Sequence, residues 1–460
     1  MNLERVQLHE VDRRLPAGRL GVLGFQHVLV MYSACIVVPL ILGAALHLSK
    51  EQLIIVINAD LFAAGLASLV QSVGLFGFGM RMPVMMGVTF TSIAPMIAIG
   101  SNASLGLQGI YGAIIASGIF GILFAPLMGR FLRFFPAVVT GSVLLVIGIS
   151  LMKVGIDWSA GGQPLLADGS PNPKYGDPVY LGISFGVLTL ILLISRFAKG
   201  FLANIAVLLG VLAGFGAACY LGEVSLDGWS DAPWIALIQP LTFGMPVFDP
   251  VAIISMCLVM LVTLVESTGM FLALGTIVGR PTTPERLVRG LRADGLGALL
   301  GGIFNAFPYT SFSQNIGLVT LTGVKSRYVC AAGGIILVLM GLFPKMAFIV
   351  ASTPPFVLGA AAMVMFGMVA MMGVRILSTV DFEHHRGNTL VAAVSIGAGT
   401  IPLLSGSFFA QLPAWTHVVT DSGIILTTLT AIVLNLMFNG LASQEQAETE
   451  AASAAGTAEA

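Results

Sequence analysis

Pro308-Tyr309-Thr310-Ser311-Phe312-Ser313-Gln314-Asn315-Ile316-Gly317 interrupts an otherwise apolar part of the chain. The run opens on a proline, crowds hydroxyl side chains together and ends on two adjacent amides and a glycine. A second run, Pro83–Ile99, has the same character: Gly87-Val88-Thr89-Phe90-Thr91 lies near its start and Pro95 falls within it. Inside a bilayer, backbone N–H and C=O groups freed by such a break persist only where protein buries them or a cavity faces them. A pair of kinked helices is the plainer reading. Matched breaks in two halves of a chain are instead the sequence mark of a transport site. There, freed backbone and the positive end of a half-helix hold a polar, planar ligand near the midplane.

The surrounding composition fixes the setting. Of 460 residues, 57% are hydrophobic and 9% charged, against about 25% charged in soluble domains. The mean hydropathy is +0.96. A core this apolar cannot cover itself with polar surface in water, which excludes an ordinary soluble enzyme, a secreted disulfide module and a disordered chain. The net charge of −1 leaves no footprint for nucleic acid. Cys35, Cys219, Cys257 and Cys330 lie in apolar runs without C-x-x-C spacing, so neither a metal nor a disulfide is expected, and no cofactor. No Walker-type phosphate loop is present, which argues against an ATP-driven pump. The 55 glycines suit closely packed membrane helices.

A spanning helix needs about 20 mostly apolar residues. Twelve candidates are Gly21–Ala45, Leu53–Phe78, Ile110–Leu127, Ala137–Met152, Val179–Ile194, Phe201–Leu221, Pro250–Val278, Gly295–Phe307, Val329–Phe343, Pro355–Val374, Thr389–Leu404 and Ser422–Phe438. The two interrupted runs raise the expectation to fourteen. That count places every Lys and Arg on the N-terminal side except Lys50, Lys153, Lys174 and Lys345, the asymmetry of the positive-inside rule, with both termini cytoplasmic. The first apolar run is too long for a signal peptide. Gly155–Pro178 reads as a turn-rich external loop, and Gly222–Asp249 as an acidic one whose Trp229 and Trp234 anchor at the interface. The stretch after Gly440 has the composition of a disordered tail. Seven spans precede the acidic loop and seven follow, with the interruption third in each set. Because seven is odd, the halves have opposite orientation, a 7+7 inverted repeat.

Polar residues at membrane depth are expensive and mark function or buried pairing. Glu266 lies deep in the eighth span and is expected to face a cavity or a partner and to take up a proton, with a structural hydrogen bond as its alternative. Asp294 is expected at the start of the ninth span, with a cap or ion pair as its structural alternative. His27 and Asp60 each admit a structural hydrogen bond or a functional role. Gln314 and Asn315 together offer donors and acceptors to a heterocycle edge carrying both N–H and C=O. Phe90 is placed to stack on such a ring or simply to pack.

At these residues the chain resembles the nucleobase–ascorbate transporter family, also called nucleobase:cation symporter-2. Its signature, approximately [QEP]-N-x-G-x-x-x-x-T-[RKG], matches Gln314 through Gly323. Its Gln-His element matches Gln26-His27, its eighth-span acidic motif Glu266-Ser267-Thr268-Gly269, and its ninth-span aspartate Asp294. The likeness covers about residues 15–440. It implies an all-α polytopic fold with short strands in spans 3 and 10. A cytoplasmic segment at 1–19 precedes core spans 1–4 at 20–135. Gate spans 5–7 follow at 136–249, core spans 8–11 at 250–345, gate spans 12–14 at 346–440, and a disordered cytoplasmic tail at 441–460. The resemblance further implies that Glu266 and Gln314 hydrogen-bond a base, that backbone at Phe90 and Ser313 completes the contact, and that Asn315, Asp294 and His27 shape affinity or coupling. It implies uptake with a proton, or in some members sodium, by alternating access in the plasma membrane (the inner membrane of a bacterium), and leaves room for a homodimer. Glutamine at 314 resembles the purine branch. Met270, where xanthine-type members often carry Asp, lies one helical turn past Glu266 on the same face; with Thr89-Phe90 and the stretch Phe307–Gln314 it resembles bacterial uric acid permeases, which puts Thr89 and Met270 among the expected substrate-binding residues. Gly323 differs from several of those, and xanthine stays open as the substrate.

Three other classes compete. An anion exchanger of the sulfate-transporter type shares the 7+7 architecture, yet Glu266 would repel a dianion. A channel needs repeated polar rings, and an enzyme needs a convergent nucleophile or metal set; neither pattern is present in the sequence.

Overall fold

The computed structural model describes residues 9–166, 169–413, 416–447 and 449–450. Several helices begin where the sequence supplies caps. Ser49 and Gln52 close a reciprocal capping box at the start of one helix. Asp177, Thr283 and Asp249 each accept backbone N–H groups ahead of a proline at the first helical position. We label the principal elements α1 (Ala17–Ala45), α2 (Lys50–Val73), β1 (Met86–Val88), α3 (Ile93–Gly100), α4 (Gly106–Phe124), α5 (Ala137–Ser159), α6 (Pro178–Phe197) and α7 (Ala206–Tyr220) in the first half. The second half holds α8 (Pro250–Ile277), α9 (Pro284–Ile303), β2 (Tyr309–Ser311), α10 (Ser313–Thr322), α11 (Arg327–Gly341), α12 (Pro355–Leu377), α13 (Arg386–Leu404) and α14 (Gly423–Phe438). Among the described residues, eight helices are long and apolar enough to cross a membrane. The number is nine if α11 and the short helix Pro344–Ala351, bent 81° from it, form one span. The fold is predominantly helical and polytopic.

Packing follows the exchange of halves. Helix α2 packs on α11 and α9 on α4; α1 packs on α11 and α8 on α4; α6 packs on α7 and α13 on α14. Replacing each helix by the one seven places on turns the first member of each pair into the second. The α5–α12 contact and the β1–β2 pairing map onto themselves. Small residues let the paired helices approach. A Cβ on Gly65 of α2 would stand 2.6 Å from the Gly334 carbonyl of α11, and one on Gly118 of α4 would stand 2.5 Å from the Leu299 nitrogen of α9.

Several boundaries differ from the sequence reading. Helix α2 ends at Val73, short of Phe78, because Gly74, Phe76, Gly77 and Gly79 all adopt positive φ, which no right-handed helix contains. Helix α9 begins at Pro284 and ends at Ile303, ahead of the expected Gly295–Phe307. Glu285, Arg286, Arg289 and Arg292 in its first turns hide a helix whose other face is apolar and buried. Asp294 is therefore mid-helix and fully buried, neither a cap nor a surface ion pair. Helix α5 runs to Ser159 with Trp158 buried, so the external loop starts after Ser159 and not at Gly155. The tail expected to be disordered from residue 441 is helical at 444–447. There Ala447 is buried and Glu450 accepts the Ala137 N–H at the start of α5, while 451–460 lie outside the described residues. Trp229 and Trp234 both face Lys345, whose Nζ lies 4.7 and 4.8 Å from their rings. At the arginine-rich end, Asp12 of the N-terminal segment bridges Arg280 (2.9 Å) and Arg327 (2.7 Å).

Candidate functional site

The two interrupted runs meet as an antiparallel pair, Met86 opposite Ser311, Gly87 opposite Thr310 and Val88 opposite Tyr309. The ladder continues at both ends, with Thr89 N donating to Pro308 O (3.1 Å) and Phe312 N to Met85 O (3.0 Å). Two strands of three residues are too short to stand alone, so the helices hold them. Ser68 Oγ of α2 accepts the Met86 N–H at 2.8 Å. Ser267 Oγ of α8 lies 3.1 Å from Thr310 Oγ1. The Tyr309 hydroxyl donates to Asp60 Oδ1 at 2.8 Å, which gives Asp60 a role beneath β2. Gly87 is required here, since a Cβ would stand 2.3 Å from the Phe312 ring.

The strand ends form one wall of a cavity of about 710 Å³. Val88, Phe90, Glu266 and the stretch Thr310–Gln314 line this wall. Met365, Met368, Met371, Met372 and Arg375 of α12 line the opposite one, with Leu144 and Ile147 of α5 between. Glu266, on α8, is half-buried and makes no hydrogen bond or ion pair among the described residues. Its carboxylate therefore faces the cavity as an acceptor. Gln314, at the first turn of α10, is exposed to the same space. Its Oε1 accepts from Ser313 Oγ at 3.2 Å, leaving the amide N–H groups to donate outward. Phe90 packs edge-on against Phe366 of α12, ring centroids 5.6 Å apart, so its ring joins the two walls.

The remaining expected residues lie behind the wall. Thr89 is buried, with its hydroxyl accepting the Thr91 N–H. Met270, one turn along α8 from Glu266, is 4% exposed and belongs to the apolar core, not to the cavity wall. Shared helical spacing does not place it at the cavity because α8 is buried on nearly every face. Asn315 points away from Gln314, and its Nδ2 lies 3.0 Å from His27 Nδ1 and donates to His27 O at 2.9 Å, tying α10 to α1. Asp294 Oδ1 accepts from Gln71 Nε2 at 2.9 Å, while its Oδ2 has no hydrogen-bond partner among the described residues. Sequence reasoning missed Gln71, Ser267 and Arg375. Gln71, followed by Ser72 in an apolar helix, carried a usable polar signal, whereas Arg375 read only as a flanking charge.

An acceptor carboxylate, a donor amide and strand-end backbone converging on one cavity suit a flat ligand with a mixed N–H and C=O edge. A model of the family described as "Permease family" matches residues 18–405. The chain belongs to this family. It is the nucleobase:cation symporter-2 group whose motif runs through Gln314–Gly323, and the protein is a membrane permease, not an enzyme. This permease is 53% identical over 432 residues to the uric acid transporter UacT of Escherichia coli, covering 94% of this chain and 88% of that one. It is 45% identical over 434 residues to the xanthine permease of Bacillus subtilis, covering 94% and 97%. Its fold is similar to the transmembrane domain of the cyanobacterial bicarbonate transporter BicA. There the TM-score is 0.58 at 14% identity, over 93% of this chain and 100% of that one. The sulfate-type exchanger reading thus keeps only a likeness of fold.

Proposed function

We propose that this permease carries uric acid, and xanthine as the second substrate, into the cell with a proton, by alternating access. The observation that supports this reading best is the convergence of the unpaired Glu266 carboxylate and the outward-facing Gln314 amide on one cavity. In this reading Glu266 accepts a purine N–H, Gln314 meets a carbonyl or ring nitrogen, and backbone at Phe90 and Ser313 completes the edge. Asp294, Asn315 and His27 act from behind the wall. The chain crosses the inner membrane fourteen times with both termini cytoplasmic. Helices α1–α4 and α8–α11 form the core that carries the substrate past a gate of α5–α7 and α12–α14. The extensive packing of α2 on α11 and α5 on α12, with slighter contacts between the two groups, supports that division.

Uptake of labelled urate, xanthine and uracil into proteoliposomes, with an inward proton gradient, a sodium gradient or neither, tests the proposal. Urate and xanthine accumulation driven by the proton gradient is expected. Glu266→Gln should lose accumulation while reaching the membrane in normal amount. Concentrative uptake by that variant, or sodium dependence of the native protein, would contradict the scheme.

A further inference from the structure

Gln71 is fully buried in the last third of α2 and every polar atom of its side chain is engaged. Its Oε1 accepts the Met80 N–H at 2.9 Å, which fixes which end of the amide is the donor. Its Nε2 donates to Asp294 Oδ1 at 2.9 Å and to Gly290 O at 3.1 Å, both on α9, and lies 3.7 Å from Met86 Sδ at the start of β1. One side chain thus joins the buried acid of α9 to the turn that feeds β1, the strand running into the cavity wall at Val88 and Phe90.

We propose that Gln71 is the positioning residue of Asp294: it fixes the carboxyl's orientation and links its protonation state to the β1 side of the substrate cavity. The inference rests on the coupling role given to Asp294 above. The amide can only donate to Asp294, so its bond is charge-assisted when the carboxyl is ionised and weaker when the carboxyl is neutral. A change at Asp294 therefore reaches Met80 and Met86 through a side chain with no slack. The other groups around Asp294 do not reach β1: Ser267 of α8, which also faces Asp294, joins β2 instead, through Thr310 Oγ1 at 3.1 Å and the Ser311 N–H at 3.4 Å. Glu266 on α8 is near enough to interact by charge but makes no bond to it. The Tyr309 hydroxyl on β2 is spent on Asp60. The facing part of α4 is glycine, Gly118 and Gly121. Arg289 and Arg292 lie on α9 itself, nearer its start.

The test compares Gln71→Leu and Gln71→Glu with the native protein in proteoliposomes, measuring accumulation of labelled urate and xanthine across a range of pH. Gln71→Leu should lower accumulation at least about tenfold at every pH, since it strips a buried carboxyl of its donor. Gln71→Glu should behave differently. Two carboxyls at this separation cannot both ionise, but sharing one proton they form an O–H···O bond in place of the amide's. That variant should recover at acidic pH and fail as pH rises, in one and the same folded sample. Reversible recovery on acidification separates positioning from a folding defect. A Gln71→Glu profile identical to the native one, or accumulation by Gln71→Leu at the native level, would overturn the inference while leaving the transport reading intact. Absence of purine uptake by the native protein would overturn the transport reading and this inference with it.

Discussion

Glu266 and Gln314 meet the cavity with side-chain atoms that the protein leaves unused, whereas Asn315 and Asp294 each bond a neighbouring helix through one side-chain atom and Asp60 bonds Tyr309 of β2. This difference sorts the effects of substitution. Gln314→Ala removes a donor aimed at open space, so folding should be spared and substrate affinity should fall about 5- to 150-fold, the equivalent of about 1–3 kcal/mol. Met270→Asp forces a carboxyl into a site that is 4% exposed and apolar. Its expected outcome is low yield in the membrane and parallel loss of urate and xanthine uptake. Expression measured by a fused fluorophore, alongside competition kinetics, checks both. Selective loss of urate by well-folded Met270→Asp would restore Met270 to the substrate site.

At the scale of elements, the strand pair is the part most exposed to small changes. The Phe312 ring covers Gly87 and also lines the cavity. Gly87→Ala should push that ring into the cavity, at a cost of about 1–3 kcal/mol for overpacking, and raise the KM for both purines. Phe312→Ala in the same chain should relieve the defect, and a double-mutant cycle measures the coupling. The two interruptions were legible in the sequence because Pro83, Gly87 and Pro308 break apolar runs, and Glu266 and Gln314 because they are polar where the surroundings are not. The bonds that hold the strands were not legible. Tyr309 and Asp60 are 249 residues apart and Asn315 and His27 are 288 apart, and no local pattern pairs residues at such separations. The start of α9 was missed because its first turns carry charge, so hydropathy registers only its deeper part. Met270 was misplaced because helical spacing gives a face without saying what covers it.

For the whole molecule, the lysines at one end and the arginines at the other have separate partners. Lys345 sits between Trp229 and Trp234, and Lys50 donates to Ser225 O of the same acidic loop, while Asp12 gathers Arg280 and Arg327. The fourteen crossings proposed above would place the first group outside the cell. In a chain lacking its four native cysteines, Lys174→Cys should react with an impermeant maleimide in intact cells, and Lys325→Cys only after permeabilisation. The opposite pattern would invert the topology. The four methionines of α12 that oppose Glu266 and Gln314 give the cavity an uneven character. One face offers hydrogen-bonding groups and is braced by the strand pair, whereas the other is built from flexible thioethers that mould to varied shapes. A purine bearing a short alkyl tail away from its hydrogen-bonding edge should therefore still dock. With its tail lodged among those thioethers it would act as a wedge, competing with urate for binding yet failing to accumulate, a separation that competition and direct uptake of the labelled analogue would reveal.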